Sequence, residues 1–185
     1  YAFNSNNNNY TYMYYTNSQA KTTLESWYQT NIGSKSNLAK NVASGAYYCE
    51  QAKAKYGDSA TSGSATMTTY NKYTPNFKCS SDGNGKGIVN ASVGLLTYDE
   101  LVYAGSYRGK NNSNYYLYNS AITWWTMSPA GFMSGYSDVW CVYTEGAISY
   151  DYANRTYAVR PVLNLTADTQ ISDGDGTKEN PFVVK

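Results

Sequence analysis

The stretch SVGLLTYDELVYAG, residues 92–105, carries the clearest structural signals in the chain. Ser92-Val93-Gly94-Leu95-Leu96 is a short apolar run and reads as a buried strand. Thr97 then starts a helix. Its hydroxyl suits the amide of Glu100, and the Glu100 carboxylate suits the amide of Thr97, which together make a capping box. Leu101, Val102 and Tyr103 continue the helix, and Gly105 ends it, so the predicted span is 97–104. Asp99 and Glu100 in a first turn read as partners of the helix dipole and cap, not as catalytic acids.

Upstream of this stretch, residues 18–31 read as a first helix. Ser18 can cap it, and Leu24, Trp27, Tyr28 and Ile32 recur at helical spacing as a core-facing stripe. Residues 1–16 are a low-complexity Asn/Tyr segment, read as an N-terminal hairpin or a linker. A short helix is expected around 46–55, a flexible loop at 57–69 and a glycine turn at 80–87. Downstream, 115–118 (YYLY), 122–128 (ITWWTMS), 139–143 and the surroundings of Ile148 read as strands. Residues 157–165 (YAVRPVLNL) read as a strand whose Pro161 demands an edge or a bulge. The C-terminal SDGDGTKENPFVV reads as a glycine turn and a last short strand. Two helices followed by many short strands make an α+β pattern, with residues 1–185 read as one domain.

The composition narrows the chemistry. The 185 residues include 14 Lys+Arg and 13 Asp+Glu, a net charge of +1, and no histidine. That balance leaves no basic footprint for nucleic acid or an anionic membrane. Without imidazole, Ser-His-Asp and Cys-His catalysis and histidine metal sites are excluded. No apolar run approaches the roughly 20 residues of a membrane span, so no direct membrane insertion is expected. The chain opens at Tyr1 in mid-pattern and reads as a mature fragment or an excised domain.

Tyrosine takes the place that charge usually holds. It occurs 22 times, against 15% charged residues and a mean hydropathy of −0.58. With so few aliphatic residues, tyrosine must supply much of the buried area. A surface rich in Tyr, Thr and Asn suits an extracellular or cell-surface protein. The three cysteines fit that setting: Cys49 and Cys79 lie in polar, loop-rich stretches and are expected to pair, while Cys141 lies in an alternating strand and is expected to stay a free thiol. A bridge at that spacing contributes about 3 kcal/mol on loop entropy.

The segments GLLTYDELVYAG at 94–105, WWTMSP at 124–129, VRPVLNL at 159–165 and GDGTKENPFVV at 174–184 occur in order, preceded by LESWYQTNI at 24–32. Together they resemble bacterial surface modules with a C-type-lectin-like fold, akin to the formylglycine-generating enzyme. Such modules are appended to pilin-like surface proteins or serve as variable proteins of diversity-generating retroelements. The resemblance covers roughly residues 10–184. It implies two helices with short mixed or antiparallel strands and long loops. It implies a core at Trp125, Met127, Val159, Val162 and Leu163, with Arg160 anchoring backbone carbonyls or a carboxylate. It also places the exposed ligand face between Pro129 and Arg160.

In that region the candidate ligand-binding residues are Tyr136, Tyr143, Tyr150, Tyr152, Asn154 and Tyr157. Alternation sets Val139, Cys141 and Tyr143 on one face and Trp140 and Val142 on the other; the resemblance implies that Trp140 and Val142 point inward, which leaves Tyr143 facing out beside Cys141. Tyrosine and small polar residues are what adaptable binding surfaces use. The expected role is an extracellular ligand-binding or adhesion module for a protein or glycan, without a cofactor. The alternative is a structural pilin-type or surface-layer subunit. An oxidase-like enzyme is disfavoured, because its chemistry needs a reactive cysteine pair and only Cys141 lies in that half. Asp173 and Asp175 suggest the start of a calcium loop but lack the closing ligands, so no metal is expected.

Overall fold

The computed structural model describes residues 1–50, 75, 77, 79, 87–177 and 179–185. The expected loop at 57–69 lies outside the described residues, as does nearly all of the 80–87 turn. The chain is α+β. Its centre is an antiparallel sheet in the order β3-β4-β5, made of Trp124–Met133, Tyr136–Val142 and Ile148–Tyr152. Two smaller antiparallel pairs flank it: β1 (Ala46–Glu50) with β2 (Gly87–Ala91), and β6 (Ile171–Asp173) with β7 (Val183–Val184).

The central sheet is buried on both faces. One face carries Trp125, Met127, Phe132, Val139 and Cys141 against Leu24 and Tyr28 of helix α1 (Gln19–Tyr28), together with Phe3, Met13 and Tyr15. The other carries Trp124, Ala130, Trp140, Val142 and Ile148 against Tyr98, Leu101 and Val102 of a second helix, Tyr98–Tyr103. Strict alternation along β3 would put Ala130 and Phe132 on one face. Register shifts around Pro129 separate them, so a bulge absorbs the proline and sends a side chain to each core.

Both expected helices form. Ser18 caps α1 by accepting from the Lys21 amide at 3.0 Å, and a π-type turn, Gln29–Gly33, extends the segment. At the second helix, the Glu100 amide donates to Thr97 Oγ1 at 3.2 Å and the Thr97 amide donates to Glu100 Oε2 at 2.7 Å, which completes the capping box.

Other expectations need correction. Residues 46–50 are strand β1, not helix; Tyr48, buried from that strand, packs over Gly94 and donates to the Val162 carbonyl at 2.9 Å. Residues 92–96 do bury Val93 and Leu95 but pair only at Gly94, with Val162. Residues 157–165 form no continuous strand. Ala158, Val162 and Leu165 bridge three different partners, Trp124, Gly94 and Val42, so the segment passes between elements around Pro161. Segment 1–16 is neither hairpin nor linker. It forms two tight 3₁₀ turns, and Phe3, Met13, Tyr14 and Tyr15 are buried. Its asparagines look disordered by composition, but Asn4, Asn6 and Asn9 accept from nearby backbone amides and fold the segment on itself. Asn4 and Asn7 then tie it to Ala153 and Ser137 of the sheet region through backbone bonds.

Cys49 and Cys79 are disulfide-bonded across 30 residues, and Cys141 is a free, buried thiol. No helix among the described residues is long and apolar enough to cross a membrane.

Candidate functional site

The six residues expected to form one binding face lie on different sides of the sheet. Pairing of β4 with β5 sets Trp140 opposite Tyr150 and Asp138 opposite Tyr152, and strand alternation then puts Tyr136, Tyr150 and Tyr152 on the Trp140 face. Tyr136 and Tyr152 pack with ring centroids 5.3 Å apart and planes tilted by 49°, and both are exposed. Tyr150 is half-buried, edge-on to Trp140 at 5.6 Å. Tyr143 and Tyr157 pack on the opposite core, 6.5 Å apart, with Tyr157 also 4.8 Å from Trp125. Asn154 is exposed in the turn after β5. Tyr143 therefore does not face out beside Cys141: Cys141 is wholly buried and Tyr143 half-buried. A layer covers each face of the sheet, so alternation sorts these side chains between two cores instead of between core and solvent.

Two polar groups of this region have unusual surroundings. The Tyr157 hydroxyl donates to Asp151 Oδ2 at 2.5 Å, and the Tyr152 amide donates to Asp151 Oδ1 at 2.7 Å. Asp138 is 2% exposed, and burial, reinforced by the Asp151 charge, pushes its carboxyl up to about 7.

A different surface collects the polar aromatic character that the sequence promised. Residues 113–120 (SNYYLYNS) form a turn, not the expected strand, with the Tyr118 amide donating to the Tyr115 carbonyl at 3.0 Å. The Asn112 and Asn119 side chains accept from the amides of Asn114 and Ala121, which bends the backbone away from a ladder despite its strand-forming tyrosines. Arg160 holds this turn from below: it donates to the Leu117 carbonyl at 2.7 Å while stacking over Trp124 at 4.6 Å. That is the anchoring role expected of it.

Facing the tyrosine turn is the glycine turn between β6 and β7. Gly174 and Gly176 have φ of +88° and +82°, and a Cβ at Gly174 would sit 2.1 Å from the Pro181 carbonyl oxygen. Thr177 donates its amide to Asp175 Oδ1 at 2.9 Å, which depresses the Asp175 pKa and commits the carboxylate to the turn. A cleft of about 420 Å³ lies between the two turns, lined by Asn114, Tyr115, Tyr116, Tyr118, Asp175 and Glu179 among others. A second cleft of about 330 Å³ adjoins it, sharing Tyr116 and Tyr118 and adding Asn119, Ser120, Arg160 and Pro181. The sequence signal for this surface is the Tyr/Asn/Ser run at 113–120, whose aromatic residues also carry strand propensity and so mask the turn.

The chain matches the model of DUF6273, a domain of unknown function, over residues 2–167. It belongs to the DUF6273 family. No curated protein and no solved structure matches it. The DUF6273 match takes in the whole central sheet, both capped helices and the tyrosine turn, and it ends before β6. The clefts are thus framed by a DUF6273 turn on one side and by the C-terminal hairpin on the other.

Proposed function

We propose that this DUF6273 chain is an extracellular ligand-binding module with an adhesive role, C-type-lectin-like in arrangement, and that its binding face is the pair of clefts around Tyr116 and Tyr118. The observation that carries the reading is their shared wall: amphipathic tyrosines and small polar side chains on a turn whose backbone is already held by Arg160, Asn112 and Asn119. Such a surface binds with little ordering cost. The disulfide supports an oxidising, extracellular setting.

Adhesion under flow tests this reading. Beads carrying the full chain pass over surfaces coated with glycoprotein, with unglycosylated matrix protein, or left bare. Retention on a coated surface, weakened by Tyr116→Ala and unchanged by Tyr152→Ser, is the expected result. Equal retention of wild type and Tyr116→Ala, or none on any surface, rejects it.

The C-terminal hairpin favours a second reading, a pilin-type or surface-layer subunit. Ile171, Phe182 and Val183 are each at least half exposed there, and apolar side chains in that number suit contacts between copies. Filaments or concentration-dependent sedimentation, both abolished by Val183→Lys, would favour it over the adhesive module.

A further inference from the structure

Resting on the binding-module reading, we infer that the ligand of the two clefts is a neutral oligosaccharide chain long enough to occupy both. The chemistry comes from the lining. Sugar rings present an apolar C–H face and a rim of hydroxyls, and the clefts answer with tyrosine rings beside amide, hydroxyl and carboxylate groups. Tyr116 is the most available platform. It is 59% exposed, and it lines both clefts.

Charge selects against acidic glycans. Asp175 and Glu179 line the larger cleft and both are exposed; Asp175 is held by the Thr177 amide, and Glu179 is the acceptor offered to sugar hydroxyls. Among the described residues that line either cleft, the one cation is Arg160. It is half-buried, stacked on Trp124 and bonded to the Leu117 carbonyl, so it is committed to the scaffold. Among the described lining residues, a sialic acid or sulfate group would meet two carboxylates and no uncommitted cation.

Size sets the length. Each cleft, at about 420 and 330 Å³, falls near the low end of the ~300–1,000 Å³ range of small-ligand sites. They adjoin along the Tyr116–Tyr118 segment, so a linear chain crossing it places successive rings on either side of the same aromatic wall. Affinity should therefore rise when the ligand grows from one sugar to a length that spans the wall, and then level off.

The test uses the full chain on a printed array holding linear neutral oligosaccharides from the monosaccharide upward, their sialylated and sulfated counterparts, and matched unglycosylated peptides. The expected result is binding confined to neutral chains, absent for monosaccharides, and reaching a plateau with length. Tyr116→Ala should weaken it about tenfold, Tyr116→Phe should retain it, and both variants should melt like wild type because Tyr116 is exposed. Preference for acidic glycans, or equal binding of monosaccharides, overturns the inference. A silent array alongside Tyr116-dependent retention on the unglycosylated matrix protein overturns the glycan class and leaves the adhesive reading standing. Silence in both assays removes both.

Discussion

The hydroxyl of Tyr157 and the carboxylate of Asp151 meet at 2.5 Å on the α1-facing side of the sheet, in a hydrogen bond that joins the end of the central hairpin to the segment leading back under Trp125. Burial, together with the Asp151 carboxylate, raises the Tyr157 pKa, so the phenol remains a donor throughout the physiological range. Tyr157→Phe removes the donor and leaves Asp151 with the Tyr152 amide and Arg155, 3.7 Å away. The expected loss is about 1–3 kcal/mol by urea denaturation. A variant as stable as wild type would mean that water replaces the phenol at no cost.

Asp138 predicts an unusual pH profile. In the unfolded chain its carboxyl loses its proton near pH 3.9, whereas in the folded chain it is held up to about 7. Between those values the native state binds the extra proton, so this group's contribution is full below about pH 4 and is lost as the pH rises through about 7. Asp138→Asn should flatten that part of the profile, with the Asp151 carboxylate left in place beside it. Thermal melts of both proteins at about pH 4, 5.5 and 7.5 decide the matter. Parallel curves would show that Asp138 is ionised and solvated across the range.

Tyr150 and Tyr152 are two residues apart on one face of β5, yet they should respond differently to replacement. Tyr150 is half-buried against Trp140, while Tyr152 is 40% exposed and packs at a tilt on exposed Tyr136. Tyr150→Ser should cost about 2–4 kcal/mol, and Tyr152→Ser less than about 1 kcal/mol. Equal losses would place the sheet edge deeper in the protein than described.

Gly146 tests the scaffold beneath the clefts. It has φ of +80°, and an added Cβ would sit 2.0 Å from the Asn112 carbonyl oxygen. Gly146→Ala should destabilise by at least about 2 kcal/mol, because backbone must move on both sides of the contact. It should also weaken any ligand binding at the tyrosine turn, since Asn112 shapes that turn. A fully stable alanine variant would contradict the packing of the two loops.

The parts of the fold read correctly from sequence are those written in local chemistry. Ser18, Thr97 and Glu100 act on backbone within three residues, so the caps of both helices could be seen in the chain itself. The Cys49–Cys79 pairing was legible because only three cysteines existed and one sat in an apolar strand. The errors arise where a distant partner decides. Ala46 to Glu50 became strand because Gly87 to Ala91 pairs with it, some forty positions on. The YYLY segment has strand propensity, but Asn112 and Asn119 claim its flanking amides. The site suffered from a related difficulty. Alternation in β4 assigns residues to two faces, but sequence does not say that both faces are covered, so Tyr143 and Tyr157 look like surface residues in the chain while each packs against a core.

Because β4 from Ser137 to Val142 is buried on both sides, each of its side chains is constrained by a core, and substitutions there are costly whichever face they fall on. The tyrosine turn is shaped differently. Its path is set by backbone bonds, by the Asn112 and Asn119 amides and by Arg160 beneath it, while Asn114, Tyr116 and Ser120 contribute exposed side chains that the path does not require. Those three positions can therefore accept many residues without refolding the domain. A library randomised there should yield mostly folded members with altered recognition, whereas one randomised in β4 should yield mostly aggregates.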